Sequence, residues 1–285
     1  MASDATTFAD RYGPWALVAG ASEGVGAAYA RAVAERGLNV ALIARRQEVL
    51  DEVAASISAE TGVRTRVVAV DLAEHVAMAR ILDATAGLEI GMVMYCAGAD
   101  PNYEPFLANP VEVSLGMVHR NCVVPMQICH YFARPMVARG KGGIVLVSSG
   151  AALAGGANMV AYSATKAFDM VMAEALWAEL HDKGVDVLAL VLGVTDTPAL
   201  RRLLARRGNL ASPDDTTPIP GALTAAETAA EAIANLANGP TWFVGEQLRE
   251  GARMLGAMTR SEAVKIMLQL GGGIMNTRLN TGEAP

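Results

Sequence analysis

Seven short apolar runs, each separated from the next by a stretch with helical spacing, constrain this chain more than any other feature. The runs cover residues 16–20, 39–44, 67–70, 91–96, 144–147, 185–192 and 242–244. Strands buried on both faces read as nearly continuous apolar runs, and parallel strands need crossover helices between them. Helical patterns fill the intervals at 25–36, 47–60, 75–86, 111–138, 162–180 and 224–238. In the second of these, Val49, Leu50, Val53 and Ile57 fall on one face. The last opens with Thr224-Ala225-Ala226-Glu227, a capping-box pattern. The alternation predicts an α/β fold: a doubly wound, Rossmann-like, seven-stranded parallel sheet covered by helices on both faces. No internal repeat or low-complexity linker interrupts it, so residues 1–285 are expected to form one domain. Within it, a mobile loop is expected at about 199–223, where Pro213, Pro218, Pro220 and Gly221 cluster, and a C-terminal helical tail at about 246–285.

Composition removes several classes of function. Hydrophobic residues make up 52% and charged residues 18%, too apolar for a disordered chain. The net charge of −6 argues against a nucleic-acid partner held by a basic field. Cys96, Cys122 and Cys129 form neither an even set nor a paired metal-ligand spacing, and His75, His119, His130 and His181 show none either, so no metal site is expected. Residues 1–10 lack the basic and apolar regions of a secretory signal. The uncharged stretch 142–165 holds Ser148, Ser149, Asn158 and several glycines, which does not suit a membrane span. The expected setting is soluble, reducing and cytoplasmic.

Gly20-Ala21-Ser22-Glu23-Gly24-Val25-Gly26 lies between the first strand and the first helix. Gly20 permits the tight turn, Gly24 lets backbone approach a pyrophosphate, and Gly26 lets helix and strand pack closely. The helix N-terminus offers unpaired N–H groups and partial positive charge to phosphates. The second strand ends in Ala44-Arg45-Arg46, with no acid to bind a ribose 2′-hydroxyl. Arginine there pairs with a 2′-phosphate, which favours NADP(H) and leaves NAD(H) open; the negative charge of Glu23 in the turn pulls the other way.

Tyr162-Ser163-Ala164-Thr165-Lys166 opens the long helix and places phenol and ammonium one turn apart on one face. A free tyrosine titrates near 10, and a nearby lysine cation favours its phenolate, which suits a general acid for carbonyl reduction or a base for alcohol oxidation. Ser149 ends the preceding apolar run, 13 residues before Tyr162. Together with Asp71-Leu72, Ala97-Gly98, Asn121 and the segment from Gly193 through Thr197, these motifs resemble the short-chain dehydrogenase/reductase superfamily over residues 16 to about 198. The resemblance implies that Ser149 bonds the substrate carbonyl oxygen and that Tyr162 delivers the proton. It implies that Lys166 binds the nicotinamide ribose and aids Tyr162, and that Asn121 holds a water relaying protons to Lys166. It further implies that Asp71 and Leu72, with Ala97 and Gly98, flank the adenosine, and that Gly193, Val194 and Thr197 meet the nicotinamide carboxamide. The chain departs from the family pattern at Ala19, where threonine is usual, and at Tyr95-Cys96, where two asparagines are usual. Leu192-Gly193 also stands where Pro-Gly is usual.

A narrower likeness, on residues 12–18, 28–30 and 37–40, is to very-long-chain 3-oxoacyl-CoA reductases and 17β-hydroxysteroid dehydrogenases. It implies NADPH and an apolar ketone such as a ketosteroid or a 3-oxoacyl thioester. Those relatives carry a membrane anchor that is not seen here. Leu200, Leu203, Leu204 and Leu210 are candidates to line an apolar substrate cavity, while Met254, Leu255, Met258, Val264, Met267, Leu268 and Met275 are expected to pack the tail onto the domain or a partner subunit. Arg201, Arg202, Arg206 and Arg207 read as a solvated face, with a coenzyme A phosphate or a carboxylate as the other reading. The resemblance also implies a homodimer or homotetramer. Two further readings stay open from sequence: an NADP(H)-sensing regulator with little catalysis, and an NAD-dependent alcohol dehydrogenase.

Overall fold

A computed structural model describes residues 7–100 and 102–270. The sheet runs β3(Thr65–Ala69), β2(Asn39–Ala44), β1(Trp15–Ala19), β4(Ile90–Tyr95), β5(Gly142–Ser149), β6(Val185–Leu192), β9(Thr241–Phe243), all pairings parallel. A separate two-stranded pairing joins β7(Thr195–Asp196) to β8(Leu223–Thr224). Chain direction along the sheet reverses between β1 and β4, the crevice where doubly wound sheets bind ligands.

Alternation along each strand feeds two separate cores. From β1, Ala16 and Val18 face one layer, with Tyr29 and Val33 of α2(Gly24–Ala34), Leu50 and Ile57 of α3(Gln47–Thr61) and Ala232 of α9(Ala225–Ala234). Trp15, Leu17 and Ala19 face the other, with Ile81 of α4(Ala77–Ala84), Ile128 and Phe132 of α6(Val124–Arg139) and Ala173 of α7(Val160–Leu180). Every residue of β1 is buried, as a strand covered on both faces requires. The capping box forms as the sequence predicts: the Glu227 N–H donates to Thr224 Oγ1 at 3.1 Å and the Thr224 N–H donates to Glu227 Oε2 at 2.8 Å.

Three features depart from the sequence reading. The long helical stretch after β4 is divided by a π-turn, His119–Val123, between α5(Val111–Val118) and α6. The first part of the expected loop is a helix, α8(Pro198–Arg206). Pro198 sits at its first turn, Thr197 Oγ1 accepts from the Leu200 N–H at 3.2 Å, and a leucine stripe supplies the face that is buried. That stripe also corrects the expected cavity lining: Leu204 and Leu210 pack with Ile219 and Leu200 into a small core of their own. A short helix, α1(Phe8–Tyr12), precedes β1 and is tied to β6: Arg11 Nε and Nη2 donate to Asp186 at 2.6 and 2.8 Å, and Tyr12 Oη donates to Asp186 Oδ2 at 2.6 Å. The tail is helical where described, as α10(Glu246–Gly256) and α11(Arg260–Leu270); Met275 lies outside the described residues. Among the described residues, no helix is long and apolar enough to cross a membrane, and no cluster of His, Cys, Asp and Glu could hold a metal ion.

Candidate active site

The candidate groups gather at the carboxyl ends of the strands: Arg45 and Arg46 after β2, Asp71 and Leu72 after β3, and the others around the ends of β1, β4, β5 and β6. The glycine turn follows β1 and meets the segment after β4. Gly20 has φ +89°, and a Cβ there would stand 2.8 Å from Ala97 N. Gly24 has φ +57°, and a Cβ would stand 3.1 Å from the methyl of Thr197. A Cβ on Gly26 would fall on the Gly20 carbonyl. No side chain caps the first turn of α2, which leaves its N–H groups free for an anion. This bare cradle of main chain fits a dinucleotide pyrophosphate. Val25 packs its side chain into the core, as does Leu72, so each can serve a ligand through main chain only.

Glu23 does not stand as an isolated negative charge in that turn. Arg46 Nη2 donates to Glu23 Oε2 at 2.7 Å and reaches Ser22 Oγ at 3.4 Å. Arg202 of α8 grips the same carboxylate with two nitrogens. Burial opposes the Glu23 charge, but the hydrogen bonds from Arg202 and Arg46 outweigh it and hold the carboxyl below its ordinary range. Two arginines on one carboxylate leave a surplus positive charge beside the end of β2. Arg45 is 71% exposed and stands 3.9 Å from Asp71, whose other oxygen accepts from the Ala73 N–H at 2.9 Å. Arg201 of α8 and Arg207, which follows it, are not a bare solvated face. Arg201 makes a bidentate pair with Asp196 at 2.6 and 2.7 Å, and the Arg207 guanidinium lies 5.1 Å from the Tyr103 ring centroid.

The catalytic candidates are bolted between β5 and α7. Ser148 Oγ donates to the Lys166 carbonyl at 2.7 Å, and Lys166 Nζ donates to the Val147 carbonyl at 2.7 Å. These two bonds set α7 against the end of β5, with Tyr162 one turn before Lys166 on the same helix. Ser149 Oγ accepts from the Ala151 N–H at 3.2 Å, capping the turn after the strand. Lys166 is only 3% exposed, and its Nζ also donates to Asp169 Oδ2 at 3.0 Å. Burial disfavours the Lys166 cation, yet attraction to Asp169 and then Tyr162 more than offsets it and holds the ammonium above the ordinary lysine value. Burial pushes the Asp169 carboxyl up against the pull of Lys166.

Asn121 is fully buried at the π-turn. Its Nδ2 donates to Thr165 Oγ1 at 2.9 Å and to the Gly98 carbonyl at 3.3 Å, while its Oδ1 accepts from Arg120 Nε at 3.1 Å. Gly98, at φ +142°, would place a Cβ 2.9 Å from Lys166 Nζ, so ammonium and main chain are in close contact. Burial pushes the Cys96 thiol up to about 11, against the opposing pull of the Lys166 cation. Gly193 and Val194 are exposed after β6, and the Val194 carbonyl accepts from the Leu223 N–H at 3.1 Å.

Every nominated residue therefore lies at this end of the sheet. Arg120 and Asp169 are absent from the sequence reading, which also gives Thr165 no role within its motif and reads Arg202 with the loop arginines rather than with the glycine turn. Asp169 had a visible signal, an acid three residues after the motif lysine on an otherwise apolar helix face. Arg202 had none, because its partner lies 179 residues away. Next to α7 a cavity of about 460 Å³ is walled by small residues, among them Ala151, Ala154 and Ala164, and by Arg260, Val264 and Leu268 of the tail.

Comparison with known proteins agrees with this arrangement. The family described as short chain dehydrogenase matches residues 14–208. A 7beta-hydroxysteroid dehydrogenase of Collinsella aerofaciens is 35% identical over 191 residues, covering 67% of this chain and 72% of that protein. The 17-beta-hydroxysteroid dehydrogenase type 3 of Mus musculus is 34% identical over 200 residues, 70% of this chain and 65% of its own. A solved structure from work on 7beta-hydroxysteroid dehydrogenase stereoselectivity superposes with a TM-score of 0.82 at 31% identity, covering 92% of this chain and 99% of that one. A short-chain dehydrogenase from Sphingobium yanoikuyae in complex with NADPH superposes at 0.72 with 25% identity, covering 87% and 97%. With the family matched across β1 to α8 and the whole motif set assembled at one crevice, the chain belongs to the short-chain dehydrogenase family and is an NAD(P)-dependent oxidoreductase.

Proposed function

We propose that this protein interconverts a carbonyl and a secondary alcohol on an apolar substrate, a ketosteroid or a 3-oxoacyl thioester, with NADP(H) in preference to NAD(H). The observation that carries the reading is the buried Lys166 ammonium, fixed to β5 one helical turn from Tyr162. A bound nicotinamide supplies or accepts the hydride. Tyr162 gives a proton to the carbonyl oxygen in reduction and takes it back in oxidation. Ser149 orients that oxygen, its hydroxyl placed by the turn that follows β5. Lys166 holds the ribose hydroxyls and sets its positive charge beside Tyr162. Asn121 props Thr165 and Gly98, and so keeps a relay path to Lys166 open.

The main chain of Gly20, Ser22, Gly24, Val25 and Gly26 holds the pyrophosphate. Asp71, Leu72, Ala97 and Gly98 flank the adenosine. Gly193, Val194 and Thr197 meet the carboxamide. Support for NADP(H) comes from Arg45 and Arg46 with Glu23 neutralised between Arg46 and Arg202: the surplus positive charge suits a 2′-phosphate. Support for an apolar substrate comes from the names of the hydroxysteroid relatives. The chain is further proposed to act as one domain and as a homo-oligomer.

Loss of nicotinamide absorbance tests the reading directly. Purified protein meets ketosteroids, 3-oxoacyl thioesters of rising length and small polar ketones, each with NADPH and with NADH. Turnover of the apolar members with NADPH is expected. Turnover of small polar ketones alone would retire the substrate class, and a marked NADH preference would overturn the role given to Arg45 and Arg46.

A further inference from the structure

Asp169 is outside every motif that marked the site, yet its carboxylate is the most buried acid beside it, at 1% exposure. It lies on α7 three residues after Lys166, so both side chains leave the helix on the same side. Its Oδ2 takes one Lys166 proton at 3.0 Å and the Val147 carbonyl takes a second at 2.7 Å, which leaves a third for a ligand. Gly98 closes the remaining space around Nζ. Asp169 Oδ1 has no protein donor. A carboxylate serving only to stitch helices together would be bonded through both oxygens; this one is bonded through Lys166 alone. The other titratable groups facing the pair are Tyr162 and Cys96 toward Lys166, and Tyr95, Cys122 and Cys129 toward Asp169. Burial pushes both Cys122 and Cys129 up, to about 11 and about 12, so near neutrality they are uncharged thiols and Asp169 is the counter-ion of Lys166.

We propose that Asp169 is a positioning residue for the reaction: it fixes the Lys166 ammonium at the end of β5 and keeps it charged although it is shut away from water. The inference rests on the role given to Lys166 and Tyr162 above. Without a counter-ion a buried lysine gives up its proton more readily. Asp169→Asn keeps the volume and removes only the charge. Asp169→Glu keeps the charge and moves it.

The test follows NADPH affinity and steady-state rate from about pH 7 to about pH 9.5, where the 2′-phosphate charge is constant. The variants are Asp169→Asn, Asp169→Glu, Lys166→Met and the Asp169→Asn/Lys166→Met pair. In the wild type, affinity should be flat over this range. In Asp169→Asn it should weaken about tenfold toward the alkaline end, with kcat down about tenfold or more and the carbonyl KM within about threefold. Asp169→Glu should restore the flat affinity profile. In the Lys166→Met background the second substitution should change NADPH affinity less than about twofold. Wild-type profiles in Asp169→Asn would overturn the proposal. So would an equal loss of affinity with and without Lys166, which is the mark of a merely structural role. If Asp169→Asn does not fold, the Glu variant and the double variant decide in the same way. A wild type that turns over no carbonyl, with the alkaline weakening of NADPH binding still present in Asp169→Asn, would keep Asp169 in this role and overturn the catalytic reading instead.

Discussion

Two junctions at the same end of the sheet are built from opposite materials. Where β5 meets α7, the contacts are buried: the Lys166 and Asp169 side chains are 4% and 1% exposed, and main-chain acceptors complete the joint. Where α8 meets the glycine turn, the contact is a pair of arginines on Glu23, with Arg46 50% and Arg202 40% exposed. A buried pair is stiff and costly to break by halves, of the order of 3–5 kcal/mol, whereas a half-exposed one contributes about 0–1 kcal/mol and yields to salt. The groups proposed to handle the proton sit on the stiff junction. The groups proposed to face the cofactor phosphates sit on the soft one. Chemistry needs fixed distances, whereas admission and release need a part that lets go.

The sharpest way to break this contrast is at Tyr162. Tyr162→Phe removes one oxygen from the stiff side and should lower kcat by about 10²–10⁴-fold with NADPH affinity within about threefold, measured by absorbance and by equilibrium titration. Retained turnover would dissolve the distinction. Gly98→Ala comes next. A methyl group there would stand 2.9 Å from Lys166 Nζ and 3.0 Å from Asn121 Oδ1 at φ +142°, so thermal unfolding should show a loss of about 1–3 kcal/mol and turnover should fall with it. On the soft side, Arg46→Ala should weaken NADPH binding about tenfold while leaving NADH nearly untouched and the melting temperature within a degree or two.

The smallest effect is the pH response of the Glu23 latch. The Glu23 carboxyl is held below its ordinary value in the folded chain, so its contribution is present above the unfolded value and is lost as pH falls through the lowered one. Limited proteolysis within 207–222 should therefore quicken only on the acid side of the ordinary carboxylate range. Quickening on the alkaline side would mean that something else fastens α8.

How much of this was legible depended on range. The strand 185–192 was readable to the residue because both its faces are buried and its apolar run is interrupted by Asp186 alone. β5 was read as 144–147 but spans Gly142–Ser149, since two glycines and two serines hide a strand from an apolar count. The glycine turn and the Tyr162–Lys166 spacing were legible because each is a local geometric requirement. The π-turn at Asn121 was not, because the residues around it are ordinary helix formers and the extra residue per turn is imposed by packing. The nine-residue helix α8 was obscured by its arginines, one of which, Arg202, has a partner in Glu23 that only the fold brings near. Thr197 shows the same limit. It was read by resemblance as a ligand contact, and it also caps α8 and presses its methyl against Gly24, so one threonine joins the turn, the helix and the site.

The clamp of Arg11 and Tyr12 on Asp186 lies at the amino ends of the strands, the whole length of the sheet away from Tyr162. A parallel sheet sorts its ends in this way: one holds reactivity, the other holds the chain together. Durability and selectivity can consequently be altered in separate campaigns, with substitutions around Asp186 changing shelf life and leaving the choice of ketone alone.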